Sequence, residues 1–284
     1  MYGRAIQKYI HFCGHSASSP FPSSPSILCD YIVHLLNSGL APSTIATHIS
    51  AISYVHKMAD KPDPTHSFLV QKTLKGALKL RGSNDPRLPI LPHTLSDLIY
   101  SCDSVFHDPY DAALMKAVYS LMFHAFLRVG EAATRSPSEI SKVLQFSDIS
   151  FTNAHSPSMS VFIRHYKHNK SKDSFVIHIS SSSHSPCPVA LMKSYIQMRG
   201  KQPGPLFCFK NSLPLNQSTF KALFKRSLAF LKLDPKHYLP HSFRIGAATH
   251  AARSGLSAAE IQYLGRWSSS AFKHYIRFSS LSSP

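Results

Sequence analysis

The apolar residues at the start of the chain recur with a helical period and are interrupted by Ser/Pro-rich segments. SASSPFPSSPS precedes Ile27 and KPDPTHS follows Asp60, so residues 1–81 are predicted to form several short helices. One helix is expected to begin at Ser43 as its N-cap, with an apolar face and an opposite polar face. The polar face contains Thr47, Ser50, Tyr54 and Lys57. Such a face can bind phosphates and base edges, and a plain solvated face explains it about equally well.

The next predicted helix has a sharper division between its two sides. Lys72, Lys75 and Lys79 are spaced at i, i+3 and i+7. The expected buried positions on the opposite side are Val70, Leu74 and Leu78. Like charges at this spacing destabilise an isolated helix, and a phosphate backbone lying along the lysines would offset the repulsion. We therefore expect this face to contact DNA.

A change of pattern divides the chain into two predicted domains. Residues 82–92, GSNDPRLPILP, are interpreted as a linker because their Gly, Asn and Pro residues disfavour a helix. Beyond it, two strand-like runs, SVFIRHY and SFVIHIS, flank a polar basic turn. Helices are predicted near 93–103, 109–135, 187–200, 216–232, 241–253 and 257–278. The prediction is a helical domain over 1–81 and a mainly α domain over 93–284 with a small antiparallel sheet.

Charge indicates the class of partner. Lys and Arg number 31 against 14 acidic residues, giving a formal net charge of +17. A polyanion is implied, and nucleic acid is favoured over an anionic membrane because the positive residues are scattered through globular sequence. The cysteine count is 5, with no C-x-x-C pair, which is typical of reduced, mostly buried thiols inside a cell. Neither a signal peptide nor a membrane span is expected.

The residues with the clearest chemistry lie in the second half of the chain. His241 and Arg244 occur in HSFR, Trp267 in LGRW, Tyr275 in KHYIR, and Arg128 upstream in FLRVGE. Phosphodiester transfer to a tyrosine needs such residues. Arginine forks match the non-bridging oxygens of the transition state, and a histidine moves protons near neutral pH.

Tyrosine needs these neighbours because an ordinary phenol, of pKa about 10, is only about one part in a thousand ionised at pH 7. The leaving 5′ oxygen needs a proton, and the turn between the two strand-like runs offers Lys167, Lys170 and Lys172, of which Lys167 is favoured. From residue 241 onward the only carboxylate is Glu260, too few acids for a two-metal site. No nucleotide-binding loop is present, and no cofactor is expected.

The order Arg, Lys, His-x-x-Arg, Trp, Tyr over residues 121–277 resembles the phage integrase family of tyrosine recombinases. The wording HSFRIGAATHAARSGLSAAEIQYLGRWSSSAFKHYIR is most similar to the recombinases of eukaryotic DIRS-like and Crypton mobile elements. The resemblance implies a C-shaped clamp in which an N-terminal core-binding domain and a C-terminal catalytic domain embrace duplex DNA. It also implies a homo-oligomer, a dimer on one site and a tetramer in synapsis, and a nuclear location if the host is eukaryotic.

The resemblance also assigns roles. It implies that Tyr275 forms a 3′-phosphotyrosyl link, that Arg128 and Arg244 hold the phosphate, that Lys167 is the general acid, that His241 is a general acid/base, and that Trp267 donates its indole N–H to the phosphate. Glu131 and Asp148 would support these residues, and Lys170 and Lys172 would contact DNA. Trp267 precedes Tyr275 by eight residues, where many bacterial and phage members have nine.

Two other functions use the same residues. A type IB topoisomerase shares the phosphotyrosine chemistry but relaxes supercoils. A domesticated protein could keep the fold and bind DNA without cutting it. The LGRW-to-Tyr wording favours a recombinase over a topoisomerase. The presence of Arg128, His241, Arg244 and Tyr275 together favours an enzyme over a binding module.

Overall fold

The computed structural model describes residues 2–15, 19–81, 85–152, 157–166, 169, 173–183 and 185–277. The chain divides into two compact units between Asp85 and Pro86. The predictions for Lys167, Lys170 and Lys172 lie outside the described residues.

The first unit is helical throughout its described elements. It contains α1 (Tyr2–His15), α2 (Pro25–Asn37), α3 (Pro42–Met58), a 3₁₀ turn (Pro64–His66) and α4 (Phe68–Arg81). Each helix turns an apolar face inward, and these faces form one core of buried residues that includes Tyr9, Leu28, Tyr31, Ile32, Ile45, Ile49, Ile52 and Val70. The helical period of the sequence is satisfied by this packing.

The two predicted polar faces are present in α3 and α4, with two corrections. Helix α3 begins at Pro42 after Ala41, and Ser43 is not its N-cap, because proline suits the first helical position, where no N–H is needed. In α4 the three predicted lysines are exposed and Val70 is buried. Leu78, however, is 43% exposed, and Ala77 takes the core position instead.

The second unit is mainly helical with a small sheet. Its elements are α5 (Pro92–Val105), α6 (Pro109–His124), α7 (Val129–Ala132), β1 (Ile149–Thr152), β2 (Ser158–Ile163), β3 (Phe175–Ser180), α8 (Pro188–Arg199), α9 (Gln217–Phe230), α10 (Ser242–Arg253) and α11 (Ala258–Leu264), with 3₁₀ segments at Pro137–Lys142, Phe146–Asp148 and Ser270–Tyr275. The sheet is antiparallel in the order β1-β2-β3, and Val161 of β2 lies opposite Ile149 and Ile177. This confirms the predicted fold class.

Two predicted helices are broken in the structure, and each break brings a residue to the candidate site. The helix expected over 109–135 ends at His124, because Phe126 has φ +49° and turns the chain before α7. The helix expected over 257–278 ends at Leu264, because Arg266 has φ +53°. Non-glycine residues rarely adopt this conformation, so the helical pattern alone did not reveal either break.

The sheet and the linker also differ from expectation. Strand β1 was not predicted, because four residues give too short an alternation to recognise. The predicted linker, 82–92, extends too far. The Leu88 N–H donates to the His237 carbonyl at 2.8 Å, and the Ile90 N–H donates to the Ser242 carbonyl at 3.0 Å. Residues from Pro86 therefore belong to the second unit.

The core of the second unit lies between α6 and the helices packed around it. Tyr119 of α6 is fully buried, stacks on Phe243 of α10 and hydrogen bonds the Ser227 hydroxyl of α9 at 3.0 Å. All five cysteines are free, and Cys13, Cys102 and Cys208 are buried. Within the described residues, no helix combines the length and the apolar character needed to span a bilayer.

The contact between Ile90 and α10 yields a stability prediction. A Cβ on Gly246 would lie 1.7 Å from the Ile90 carbonyl oxygen, so the backbones touch there. We expect Gly246→Ala to lower the free energy of unfolding by about 3 kcal/mol or more, since backbone must move to make room. Gly76→Ala is the control: its Cβ meets nothing within 4 Å, and the helix should gain roughly 0.5–1 kcal/mol. Chemical denaturation that gives equal midpoints for the wild type and Gly246→Ala would contradict the expectation.

Candidate active site

Tyr275 is fixed at the end of the last 3₁₀ segment, against α10. The Thr249 hydroxyl donates to the Tyr275 carbonyl at 3.2 Å and accepts the Arg277 N–H at 3.1 Å. Thr249 is fully buried, and Phe272 of the same segment is packed into the core. The backbone of Tyr275 is thus held on both sides, while its side chain is partly exposed.

Three of the predicted catalytic side chains surround the Tyr275 ring. The His241 ring centroid is 4.8 Å away and the Trp267 centroid is 4.9 Å away. The guanidinium carbon of Arg244 lies 5.8 Å from the Tyr275 centroid. His241 is the residue before α10, and Arg244 is in the first turn of that helix. The structure therefore brings together four residues that are up to 34 positions apart in the sequence.

Arg244 is the most buried charge of the cluster. It has no exposed surface, and its two terminal nitrogens donate to the Phe126 carbonyl, at 2.7 Å, and to the Gly265 carbonyl. Its guanidinium carbon lies 4.2 Å from the Trp267 ring centroid, within cation–π distance. Burial first, and the charges of Arg128 and Arg266 second, lower the pKa of Arg244 to about 9. The group stays protonated at neutral pH and favours an anion beside it.

Arg128 is joined to Glu131 by two hydrogen bonds. The Arg128 Nη1 is 3.1 Å from Glu131 Oε1, and the Arg128 backbone N–H donates to Oε2 at 3.0 Å. Glu131 is only 4% exposed, whereas the Arg128 side chain is 23% exposed and lines the adjacent cleft. The buried carboxylate thus holds an arginine whose other nitrogens can reach a ligand.

Arg266 is part of the cluster and was not predicted from the sequence. It is buried, and its Nη2 donates to Glu131 Oε2 at 2.8 Å. The sequence contained a signal. The position nine residues before Tyr275, the spacing that many bacterial and phage members show, is occupied by Arg266, whereas Trp267 is eight residues before it. The neighbouring Trp267 has the more recognisable chemistry, and it obscured this spacing.

A cleft of about 970 Å³ opens beside this cluster. Its lining includes Arg128, Glu131, Arg135, Lys142, Arg164 and His241. Among the described residues that line it, Glu131 is the only carboxylate, and it is already bound by two arginines. The cleft is therefore strongly positive and suited to an oxyanion.

Asp148 supports one wall of the cleft. It is 2% exposed, and its Oδ1 lies 2.5 Å from the Nε of Arg164, while its Oδ2 accepts the Gln145 N–H at 2.8 Å. Arg164 follows β2 and is half exposed. The carboxylate orients this arginine at the cleft, a residue that the sequence had not singled out.

The predicted DNA-contacting residues of the first unit lie on its surface. Ser50, Tyr54 and Lys57 are exposed and Thr47 is partly exposed, although the Thr47 and Ser50 hydroxyls donate to carbonyls one turn earlier. Lys57 lies 3.7 Å from Asp63. Tyr54 and the α4 lysines are therefore available to a ligand of this unit.

Comparison with known proteins places the chain in a family. Residues 90–279 match the phage integrase family, and the chain belongs to it. The protein is therefore a tyrosine recombinase. It is 23% identical over 275 residues to the integrase/recombinase XerD homolog of Selenomonas ruminantium, covering 93% of this chain and 76% of that protein.

Solved structures share the fold. The integrase of the Tn1549 transposon, in complex with circular intermediate DNA, gives a TM-score of 0.61 at 14% identity, over 92% of this chain and 83% of that one. The XerH site-specific recombinase bound to palindromic difH substrate, in a post-cleavage complex, gives a TM-score of 0.67 at 17% identity. The match covers 96% of this chain and 74% of that one. At these identities the likeness concerns the fold.

The positive cleft leads to an anion-binding prediction. We expect sulfate to raise the melting temperature more than chloride at equal ionic strength. An anion at ten times its dissociation constant stabilises by about 1.4 kcal/mol. For a unit of this size that gain in stability raises the melting temperature by roughly 3–6 °C. Arg128→Gln should remove the difference, and Arg253→Gln, an exposed arginine at the end of α10, should keep it. A sulfate effect that survives in Arg128→Gln would show that the anion binds elsewhere.

Proposed function

We propose that the protein cuts and rejoins DNA strands at specific sites through a covalent 3′-phosphotyrosyl bond to Tyr275. The observation that carries this proposal is the convergence of His241, Arg244 and Trp267 on the Tyr275 ring. A protein that only binds DNA has no use for a tyrosine placed among these groups. The adjacent cleft, with Arg128 in its wall, is where the scissile phosphate would lie.

The residues have distinct tasks in this reaction. The Tyr275 oxygen attacks phosphorus, the bond to the 5′ oxygen breaks, and the phosphotyrosyl ester retains the energy of the broken diester, so no ATP is needed. Arg128 and Arg244 stabilise charge on the non-bridging oxygens. His241 accepts the phenolic proton, and Lys167 gives a proton to the leaving oxygen. The Nε of Arg244 and the indole nitrogen of Trp267, buried without a hydrogen-bond partner in the described residues, are further donors for that phosphate.

Charge supports a metal-independent route. Around Tyr275 the guanidinium repels a divalent cation, the indole does not bind one, and the single imidazole offers only one ligand. These same groups supply positive charge and hydrogen-bond donors directly. We therefore propose that cleavage proceeds without a metal ion.

The partner in this proposal is double-stranded DNA. We propose that the first unit contacts it through the polar face of α3 and the lysines of α4, and that the two units together embrace the duplex. The chain would act as a dimer on one site and as a tetramer in synapsis. The wording of residues 241–277 supports an origin in a eukaryotic DIRS-like or Crypton element, with integration of that element as the role and the nucleus as the location.

Covalent trapping tests the nucleophile. Suicide DNA substrates carrying candidate sites should give a protein–DNA adduct in the presence of EDTA, and Tyr275→Phe should abolish it. Tyr263→Phe is the matched control, since Tyr263 is 65% exposed in α11 and should leave the adduct unchanged. An adduct that persists in Tyr275→Phe rules out the nucleophile, and an adduct that requires a metal rules out the metal-free route.

Exchange assays separate the possible outcomes of cleavage. Two labelled duplexes should yield recombinant strands, as a recombinase requires. Relaxation of a supercoiled plasmid without exchange would indicate the topoisomerase alternative. DNA binding with no adduct on any substrate would indicate the domesticated binding protein.

The lysines of α4 make a separate prediction about affinity. Replacing Lys72, Lys75 and Lys79 by Ala should weaken DNA binding and reduce the salt slope by up to about 0.9 for each phosphate that the lysines no longer neutralise. Lys201, Lys232 and Lys236, in the second unit and on its surface, give a control triple with the same change in charge. Binding measured across salt concentrations should separate the two triples. Equal slopes for the two triples would mean that α4 makes no specific phosphate contact.

A further inference from the structure

Arg266 makes more side-chain hydrogen bonds within the site than Arg128 or Arg244, the two arginines proposed to hold the phosphate. Its Nη1 donates to the carbonyls of Ala125, at 3.2 Å, and Leu264, at 3.3 Å. Its Nη2 donates to the Phe126 carbonyl at 3.1 Å and to Glu131 at 2.8 Å. Its side chain is only 1% exposed, and both of its terminal nitrogens are bonded to acceptors within the protein.

These hydrogen bonds connect the two arginines that hold the phosphate. The Glu131 carboxylate that receives Arg266 also receives Arg128. The Phe126 carbonyl that receives Arg266 also receives Arg244, at 2.7 Å. Within the described residues, Arg128 and Arg244 share no hydrogen-bond acceptor, so Arg266 is the residue that links them.

The backbone around Arg266 is built for this position. Arg266 adopts φ +53°, which turns it toward Phe126 and Glu131 at the point where α11 has ended. The preceding residue must be Gly265, because a Cβ there would lie 1.6 Å from the Trp267 indole. The Gly265 carbonyl also accepts a hydrogen bond from Arg244. One turn therefore places Arg266 inward and Trp267 beside Tyr275.

We propose that Arg266 is a positioning residue that sets the distance between Arg128 and Arg244, so that both guanidiniums engage one scissile phosphate. This inference rests on the proposed strand cleavage at Tyr275. Arg266 acts through Glu131 and the Phe126 carbonyl, and it does not touch the substrate.

The charge balance agrees with this arrangement. Three guanidiniums, of Arg128, Arg244 and Arg266, stand against the single carboxylate of Glu131, which leaves two net positive charges. Attack of a phenolate on a phosphodiester gives a phosphorane with two negative charges. A cluster held at fixed spacing before the reaction matches this charge without reorganising.

The first experiment replaces Arg266 by lysine. Lysine keeps the charge but cannot reach the carbonyls and Glu131 in a planar fork. Single-turnover adduct formation at saturating suicide substrate should slow by about 100-fold, the cost of displacing reacting groups by about 1 Å. The dissociation constant for DNA should change by less than about threefold, because a residue that acts only through its neighbours neutralises no phosphate.

Arg199→Lys is the matched control. Arg199 also donates to several backbone carbonyls, of Gly200, Gln202, Pro205 and Leu206, and it stacks on Phe146. It lies outside the cleft lining. Its replacement should lower the melting temperature as the Arg266 change does, and leave the cleavage rate of folded protein unchanged.

A sulfur substitution separates positioning from simple loss of structure. When one non-bridging oxygen of the scissile phosphate is replaced by sulfur, the arginine fork bonds it less well, so wild-type cleavage should slow. In Arg266→Lys the oxygen-to-sulfur rate ratio should fall toward one, because the fork is already misplaced. In Arg199→Lys the ratio should equal that of the wild type.

Glu131→Gln provides a second variant in case Arg266→Lys does not fold. If Arg266 acts through Glu131, the single change should also lower the oxygen-to-sulfur ratio, and the double variant should be no slower than the slower single variant. The positioning role is overturned if the rate losses of the two single variants multiply in the double variant. It is also overturned if both single variants keep the wild-type oxygen-to-sulfur ratio. A wild-type protein that forms no adduct overturns the proposed function instead.

Discussion

The arrangement of the site depends on one buried carboxylate, Glu131. It lies in α7 and binds two arginines that are far apart in the sequence, Arg128 and Arg266. Removing two such charges from water is costly unless each is paired and hydrogen bonded, and here every oxygen of the carboxylate has a donor. Arg266 in turn shares the Phe126 carbonyl with Arg244, and Trp267 and Tyr275 lie against Arg244. The surplus positive charge is left for a ligand to neutralise.

The sequence predicted the composition of the site better than its connections. The residues around Tyr275 were recognisable because their chemistry is specific and their order is unusual. The hydrogen bonds that link these residues were not recognisable, because they pass through backbone carbonyls. Phe126 and Arg266 both have positive φ, and neither is a glycine, so no local signal marks the turns that bring the Phe126 carbonyl to Arg244 and Arg266.

The same limit applies to the fold. Helical periodicity located the elements of both units, and the antiparallel sheet was expected from its two longer strands. Ile90 was taken for linker because prolines surround it, yet it is fully buried against α10, where only Gly246 allows the approach. Leu78 was assigned to the core by its spacing, and the smaller Ala77 is packed there instead. Period and composition do not specify which neighbour a segment will meet.

The Thr249 hydroxyl binds the backbone on both sides of Ile276 to α10. Tyr275 is therefore held in the site formed by its own subunit. The tyrosine and the histidine and arginine beside it are parts of one polypeptide, linked by contacts within it. Each subunit of any assembly would therefore carry its own tyrosine together with this histidine and arginine. A neighbouring subunit would not need to supply any of these three side chains.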